Sequence, residues 1–275
     1  MTPLLRKGAA LLRLGPADLP ALSRLLDQDM VANVFMRSEL RLAPGRAGWW
    51  GVSSGGGLRA ALMGGPLVVP WIPDLGDAPI LAGALRHQAP ARLMIGPAPA
   101  VRALSAALAS RQRPVEVRDP QPLLVLDRAP VIAGGAPVRR ARREDLDRLT
   151  IAAAAMHREE MGVDPMALDA AGWRSRMATL IDRGWSFVWC EGPEILFKVE
   201  LSAWTPEVLQ LQGVWTEPHL RQRGLATAGL AAVCVELLHD VPICSLYVNG
   251  YNTPALRLYS RLGFRQAGEF ATLVY

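Results

Sequence analysis

Lysine is almost missing from this chain. Only Lys7 and Lys198 occur among 275 residues, so arginine carries nearly all the positive charge, a bias that reads as genome composition rather than function. Cysteine is scarce as well. Cys190, Cys234 and Cys244 sit singly in apolar stretches without metal-ligand spacing, which predicts reduced, buried thiols and no metal site. No apolar run reaches the ~18 residues a membrane span needs. The opening residues, MTPLLRKGAALLRLGP, lack the apolar core and cleavage site of an export signal. The expectation is a mature cytoplasmic protein with no membrane partner.

What is present is an ordinary globular composition. Hydrophobic residues make up 51% and charged residues 20%, which excludes disorder, and the length suits two domains with separate cores. The net charge of +5 is unevenly shared: 15 Lys and Arg face 9 Asp and Glu up to residue 128, and 15 face 16 beyond it. The basic first half raises the question of nucleic acid. Its arginines are scattered singly, with no run and no interleaved aromatics, so a solvated surface is expected and a nucleic-acid partner is not.

A boundary falls near the middle. Gln121 to Leu126 reads as a closing strand, and the Pro, Gly and Ala-rich stretch at 129–137 reads as a linker between a domain at 1–128 and another at 138–275. The two halves echo each other. Arg13-x4-Asp18-Leu19-x-x-Leu22 recurs as Arg140-x4-Asp145-Leu146-x-x-Leu149, each time with an acid where a helix begins. Pro99-Ala100-Val101-Arg102-Ala103-Leu104 echoes Pro254-Ala255-Leu256-Arg257-Leu258-Tyr259, which puts Leu104 where Tyr259 stands.

The chemistry concentrates in the second half. Leu209 to Trp215 reads as an apolar strand, followed by a polar turn and a small-residue helix starting near Gly224. The turn holds Arg221-x-x-Gly224-x-Ala226. Small residues there let a ligand approach the backbone, and the unpaired amides and positive dipole of a helix start favour an anion. Arg221 and Arg223 add fixed charge, so a diphosphate is the natural guest. A second strand, Ile243 to Val248, leads into Asn252-x-x-Ala255-x-x-x-Tyr259-x-x-x-Gly263-Phe264, with Asn252 at a helix cap and Pro254 in its first turn.

Both segments in this order resemble the GNAT acyltransferase superfamily, of the two-domain bacterial type with a degenerate first half. The resemblance implies an α+β (α/β) chain of two GNAT-like domains in tandem, each a mixed, mostly antiparallel sheet flanked by helices. It implies acetyl-CoA as acyl donor, with the turn residues Arg221, Gln222, Arg223, Gly224, Leu225, Ala226 and Thr227 as the pyrophosphate cradle. Asn252 and Tyr259 would belong to a second cofactor segment. Backbone N–H groups near Val214, Trp215 and Thr216 would meet the pantetheine arm and the oxyanion, and Tyr259 would be the general acid. The first half has no such turn: Leu67 to Leu81 offers no arginine, so a lost cofactor site is expected there.

The family's usual strand glutamate is missing, and Gln210 and Gln212 occupy that strand, facing one way to orient a substrate or satisfy one another. Glu200, near the end of the strand ILFKVEL, is then the candidate base. Lys198 shares its face, and an exposed Lys–Glu pair is the plain alternative. Glu160 is read as a solvated helix end and His219 as surface. The functional expectation is an N-acetyltransferase acting on a primary amine by direct attack, in a monomer or homodimer. A CoA-binding sensor or scaffold with little turnover stands beside it.

Overall fold

The computed structural model describes residues 8–45, 48–86, 88–132 and 135–275. Residues 1–7 of the N-terminal reading and Ala133 and Gly134 of the linker fall outside that set. By internal contacts the chain forms two units. One runs up to Leu124 and adds Tyr247–Thr253 and Gln266–Tyr275; the other comprises Val125–Leu246 and Pro254–Arg265.

The first half contributes β1 (Ala10–Arg13), α1 (Leu19–Leu26), α2 (Val34–Leu42), β2 (Gly48–Ser54), β3 (Gly57–Gly64), β4 (Leu67–Trp71), α3 (Ala78–Leu85), β5 (Leu93–Pro97), α4 (Ala98–Leu108) and β6 (Glu116–Leu126). The second half repeats the order with β7 (Arg139–Arg140), α5 (Leu146–Met161), α6 (Pro165–Asp182), β8 (Ser186–Glu191), β9 (Glu194–Trp204), β10 (Val208–Thr216), α7 (Leu225–Leu237), β11 (Ile243–Tyr247), α8 (Thr253–Leu262) and β12 (Arg265–Val274). The repeat expected from two short echoes thus extends through every strand and α-helix. Its local chemistry repeats too. In both halves the aspartate of the echo ends a single 3-10 turn and accepts the amide three residues before it: Gly15 N–H to Asp18 at 2.8 Å, Arg142 N–H to Asp145 at 2.7 Å.

In the first unit the strand order is β1-β2-β3-β4-β5-β12-β6, with β4 and β5 parallel and β12 antiparallel to β5 from Phe270↔Pro97 to Val274↔Leu93. The chain's last strand therefore completes the sheet of its first half. Period-2 alternation divides the core. Ala60, Leu62 and Val68 face Leu81 of α3 and Leu104 of α4, while Ala61, Met63 and Val69 face Leu22 and Leu26 of α1 and Met36 of α2.

The second unit has the order β11-β10-β9-β8-β7. One sheet face takes α5 and α6 through Leu149, Met177, Val188 and Trp215. The other face takes α7, which comes so close that a Cβ on Gly229 would lie 2.6 Å from the Phe197 ring. Each such large apolar side chain contributes ~1.5–3 kcal/mol on burial, so these faces fix where the ends of β10 and α7 lie. Cysteine burial departs in one place from expectation: Cys234 and Cys244 are buried, whereas Cys190 is only partly so, because it stands near the hairpin end of β8.

Candidate active site

Strand β10 is parallel to β11 over only three positions, Val208↔Ile243, Leu209↔Cys244 and Gln210↔Ser245. Beyond Gln210 it continues to Thr216 with β9 as partner, so its other edge opens. The change of direction has a local cause. Between Gln212↔Glu200 and Trp215↔Lys198 the register slips by one residue, and Gly213 adopts φ +62° there. This is a β-bulge built on a left-handed glycine, which bends the strand and increases its twist. Val214, Trp215 and Thr216 follow the bulge along the opened edge.

The polar turn comes next. A 3-10 turn, Pro218–Leu220, leads to Arg221, then Gln222 at φ +64° and Gly224 at φ +82° ahead of α7. A left-handed non-glycine residue costs roughly 1–2 kcal/mol, so Gln222 keeps this conformation because the surrounding turn holds it there. The Ala228 amide is the first to find a helical acceptor, the Gly224 carbonyl at 3.0 Å; among the described residues the amides of Leu225, Ala226 and Thr227 donate to nothing. A Cβ on Gly224 would meet no atom within 4 Å, so the space above the cradle is open.

The two arginines of the turn differ. Arg221 Nε donates to the Thr216 carbonyl at 3.1 Å, and its Nη2 pairs with Glu159 of α5 at 2.6 Å. Glu159 also accepts from the Trp215 indole at 3.4 Å. Arg221 therefore braces the turn against the end of β10. Arg223 is exposed and lies beside a cavity of about 470 Å³ that Trp189, Leu196, Leu220 and Leu225 also line.

Tyr259 is buried on α8, with its ring edge-on to Phe264 at 5.7 Å. Burial chiefly, and then the charge of Glu160, push its phenol well above the ordinary value. Asn252 stands immediately before α8 on exposed backbone, its amide donating to the Asn249 carbonyl at 2.8 Å.

The Lys–Glu pair forms, but it is not on an exposed face. Lys198 is 0% and Glu200 3% exposed. The Lys198 ammonium donates to Glu200 Oε1 at 2.8 Å and to the Gly213 carbonyl at 3.1 Å, with Met156 Sδ 3.5 Å away. The face is covered because α5 lies across it. Gln210 and Gln212 do not satisfy one another: Gln210 Oε1 accepts from Ser202 Oγ at 3.0 Å, its Nε2 is buried without an acceptor, and Gln212 is Glu200's neighbour across β9. Sequence reasoning missed the Arg221–Glu159 brace, which spans 62 residues and leaves no local signal. It also missed a surface group in which ligand atoms of Glu194, Glu217 and His219 lie within 4.8 Å of one another.

Comparison with known proteins fits this geometry. Residues 198–273, which span the bulge, the cradle and Tyr259, match the model of the FR47-like protein family, and residues 47–149 match that of a domain of unknown function, DUF4081. An acetyltransferase from the GNAT family of Colwellia psychrerythraea superposes with a TM-score of 0.65 at 13% identity, over 96% of this chain and 99% of that one. A tandem GNAT protein from the clavulanic acid biosynthesis pathway gives 0.58 at 16% identity, over 97% and 98%. The chain has the fold of these tandem GNAT structures, and its residues 198–273 are similar to the FR47-like family. A GCN5-related N-acetyltransferase from Sphaerobacter thermophilus covers the same span, with a TM-score of 0.63 at 18% identity over 96% and 94%. No curated protein matches the chain in sequence. The opened parallel pair, the bulge and the glycine-started helix all lie within the segment that matches the FR47-like family. No helix among the described residues is long and apolar enough to cross a membrane.

Proposed function

We propose that this protein is an N-acetyltransferase whose second domain, residues 138–275, moves the acetyl group of acetyl-CoA to a primary amine, with residues 1–128 a degenerate copy and 129–137 the connection. The observation that carries the reading is the open cradle: unpaired amides at Leu225, Ala226 and Thr227, and empty space over Gly224. A diphosphate there meets helix-terminal N–H groups and the charge of Arg223. Gln222 and Gly224 hold the turn in the shape that aims those amides, and Arg221 keeps the turn against Thr216.

The reaction asks three things of the protein. The oxyanion formed on amine attack needs a fixed donor, and the backbone amides of Val214, Trp215 and Thr216 after the bulge are assigned to it and to the pantetheine arm. The departing thiolate needs a proton, and the Tyr259 phenol, kept protonated by burial, is assigned to give it. The ammonium of the acceptor must lose a proton, and Glu200 is the assigned base, acting through Oε2 because Oε1 is held by Lys198. Asn252 completes the second cofactor segment ahead of α8. The cytoplasm, where acetyl-CoA is made and used, is the compartment this activity requires.

The test is thiol release from acetyl-CoA with a panel of primary amines, for wild type and Tyr259→Phe. Turnover in the wild type, with kcat lower by ~10²–10³ in the variant and unchanged acetyl-CoA affinity, supports the assignment. Acetyl-CoA binding without turnover on any amine favours the second reading, a CoA-binding sensor or scaffold. That reading has one observation of its own: Gln210 and Gln212 stand on β10, and the nearby Glu200 is engaged by a lysine.

A further inference from the structure

A lysine ammonium with no solvent exposure is rare and costly unless each of its hydrogens finds an acceptor. Here the acceptors are Glu200 at 2.8 Å and the main-chain carbonyl of Gly213 at 3.1 Å, with the Met156 thioether at 3.5 Å. Gly213 is also the residue at which β10 leaves its register with β9. A strand carbonyl turned out of its ladder loses its normal partner. A fully buried cation replaces that partner, and Glu200 neutralises the cation. A Cβ on Gly213 would stand 3.2 Å from Nζ, 3.3 Å from Met156 Cε and 3.4 Å from Glu200 Oε2, so the bulge is enclosed by these three side chains.

We infer that Lys198 is a positioning residue for the acyl-transfer site: with Glu200 as counter-ion, it pins the Gly213 carbonyl and thereby fixes the amides of Val214, Trp215 and Thr216 along the opened edge of β10. The inference rests on the acyltransferase reading for its consequence, though the pin itself does not. Lys198 touches no reacting atom. It holds the bulge in the one shape that presents the following amides to a pantetheine chain and to a developing oxyanion, where sub-ångström placement decides the rate. The cradle at Gln222–Thr227 has a second anchor outside β10, the pair of Arg221 with Glu159 of α5 at 2.6 Å.

The experiment compares wild type, Lys198→Met and the double variant Lys198→Met with Glu200→Gln. The double variant leaves no lone buried carboxylate and so keeps the test open if the single variant fails to fold. Two probes are titrated by calorimetry, acetyl-CoA and 3′-phospho-ADP, which carries the diphosphate but no pantetheine. Acetyl-CoA affinity is expected to fall by about 10- to 100-fold, the loss of a hydrogen bond to a charged donor, while 3′-phospho-ADP affinity stays within about 2-fold. Turnover is read in Lys198→Met alone, because Glu200 is the assigned base, and there kcat at saturating acetyl-CoA falls. Unchanged acetyl-CoA affinity in a folded double variant overturns the inference, and so does equal weakening of both probes, which marks general damage. Hydrogen exchange gives a readout that needs no ligand: residues 211–217 exchange at least ~10-fold faster in the double variant while β8 does not change. If wild type binds neither probe, the acyltransferase reading fails. The exchange result still decides the pin: faster exchange confined to that strand upholds it, and uniform exchange refutes it.

Discussion

Both halves of this chain run a strand into a helix beside a parallel neighbour, and among the described residues the two strand ends differ. In the second half β10 parts from β11 after three positions, and α7 starts from Gly224 with free amides and open space. In the first half β4 carries Pro70 at that place, which has no N–H to offer. Pro70 also lies against β5: a Cβ on Gly96 would be 3.3 Å from its carbonyl and 3.4 Å from its ring. The start of α3 is equally occupied. Asp74 accepts the Gly76 amide at 3.0 Å, and Asp77, fully buried, stands immediately before α3 and pairs with Arg59 at 3.1 Å. Where α7 offers positive charge and unpaired donors, α3 carries two carboxylates of its own. The order of elements is shared, and what differs is the chemistry at one strand end and at the helix start that follows it. Function follows those residues rather than the fold.

The comparison breaks most visibly if the halves are cut apart. Residues 1–128 alone lack β12 and leave the edge of β5 open, so this fragment is expected to be insoluble or to lose its near-ultraviolet dichroism. A cooperative unfolding transition from the isolated fragment would show the exchanged strand to be dispensable. The next largest effect belongs to Gly224→Trp. Its side chain occupies the open space over the cradle and its φ is unfavourable, so acetyl-CoA affinity should drop at least ~100-fold. Retained binding would place the cofactor elsewhere.

A sharper contrast concerns Tyr259 against Leu104, its counterpart on α4. In the proposed role the phenol carries the proton for a leaving thiolate, and burial with the Glu160 charge raises it above the usual ~10. The protonated form therefore persists to higher pH, and kcat should show no alkaline fall below about pH 10 that Tyr259→Phe removes. Such a fall near pH 8 would mean the phenol is not held as described. The smallest effect is expected in the first half. Asp77→Asn breaks a pair whose arginine is partly exposed, costing about 1–3 kcal/mol and a few degrees of melting temperature. Acetyl-CoA affinity should stay the same, and a change in it would tie α3 to the site.

Much of this contrast was legible in the residues. The Arg221-x-x-Gly224-x-Ala226 turn and the Asn252 to Phe264 run give local signals, because a left-handed glycine and a helix start depend on neighbours in sequence. The echo of Asp18 by Asp145 was legible for the same reason, each aspartate capping the turn it ends. What escaped was long-range. Nothing near Lys198 announces that Gly213, 15 residues later, will present a carbonyl to it. Burial of Lys198 and Glu200 comes from α5 lying over that face, a tertiary fact that alternation along β9 does not encode. The exchange of β12 into the first unit was invisible likewise, since strand pairing across such separations has no signature in either segment.

The most direct test of the central claim is the number of acetyl-CoA molecules bound per chain, measured by titration calorimetry on the intact protein. The account predicts one site, lost in Gly224→Trp and retained in Asp77→Asn. Two sites, or one that survives Gly224→Trp, would contradict it.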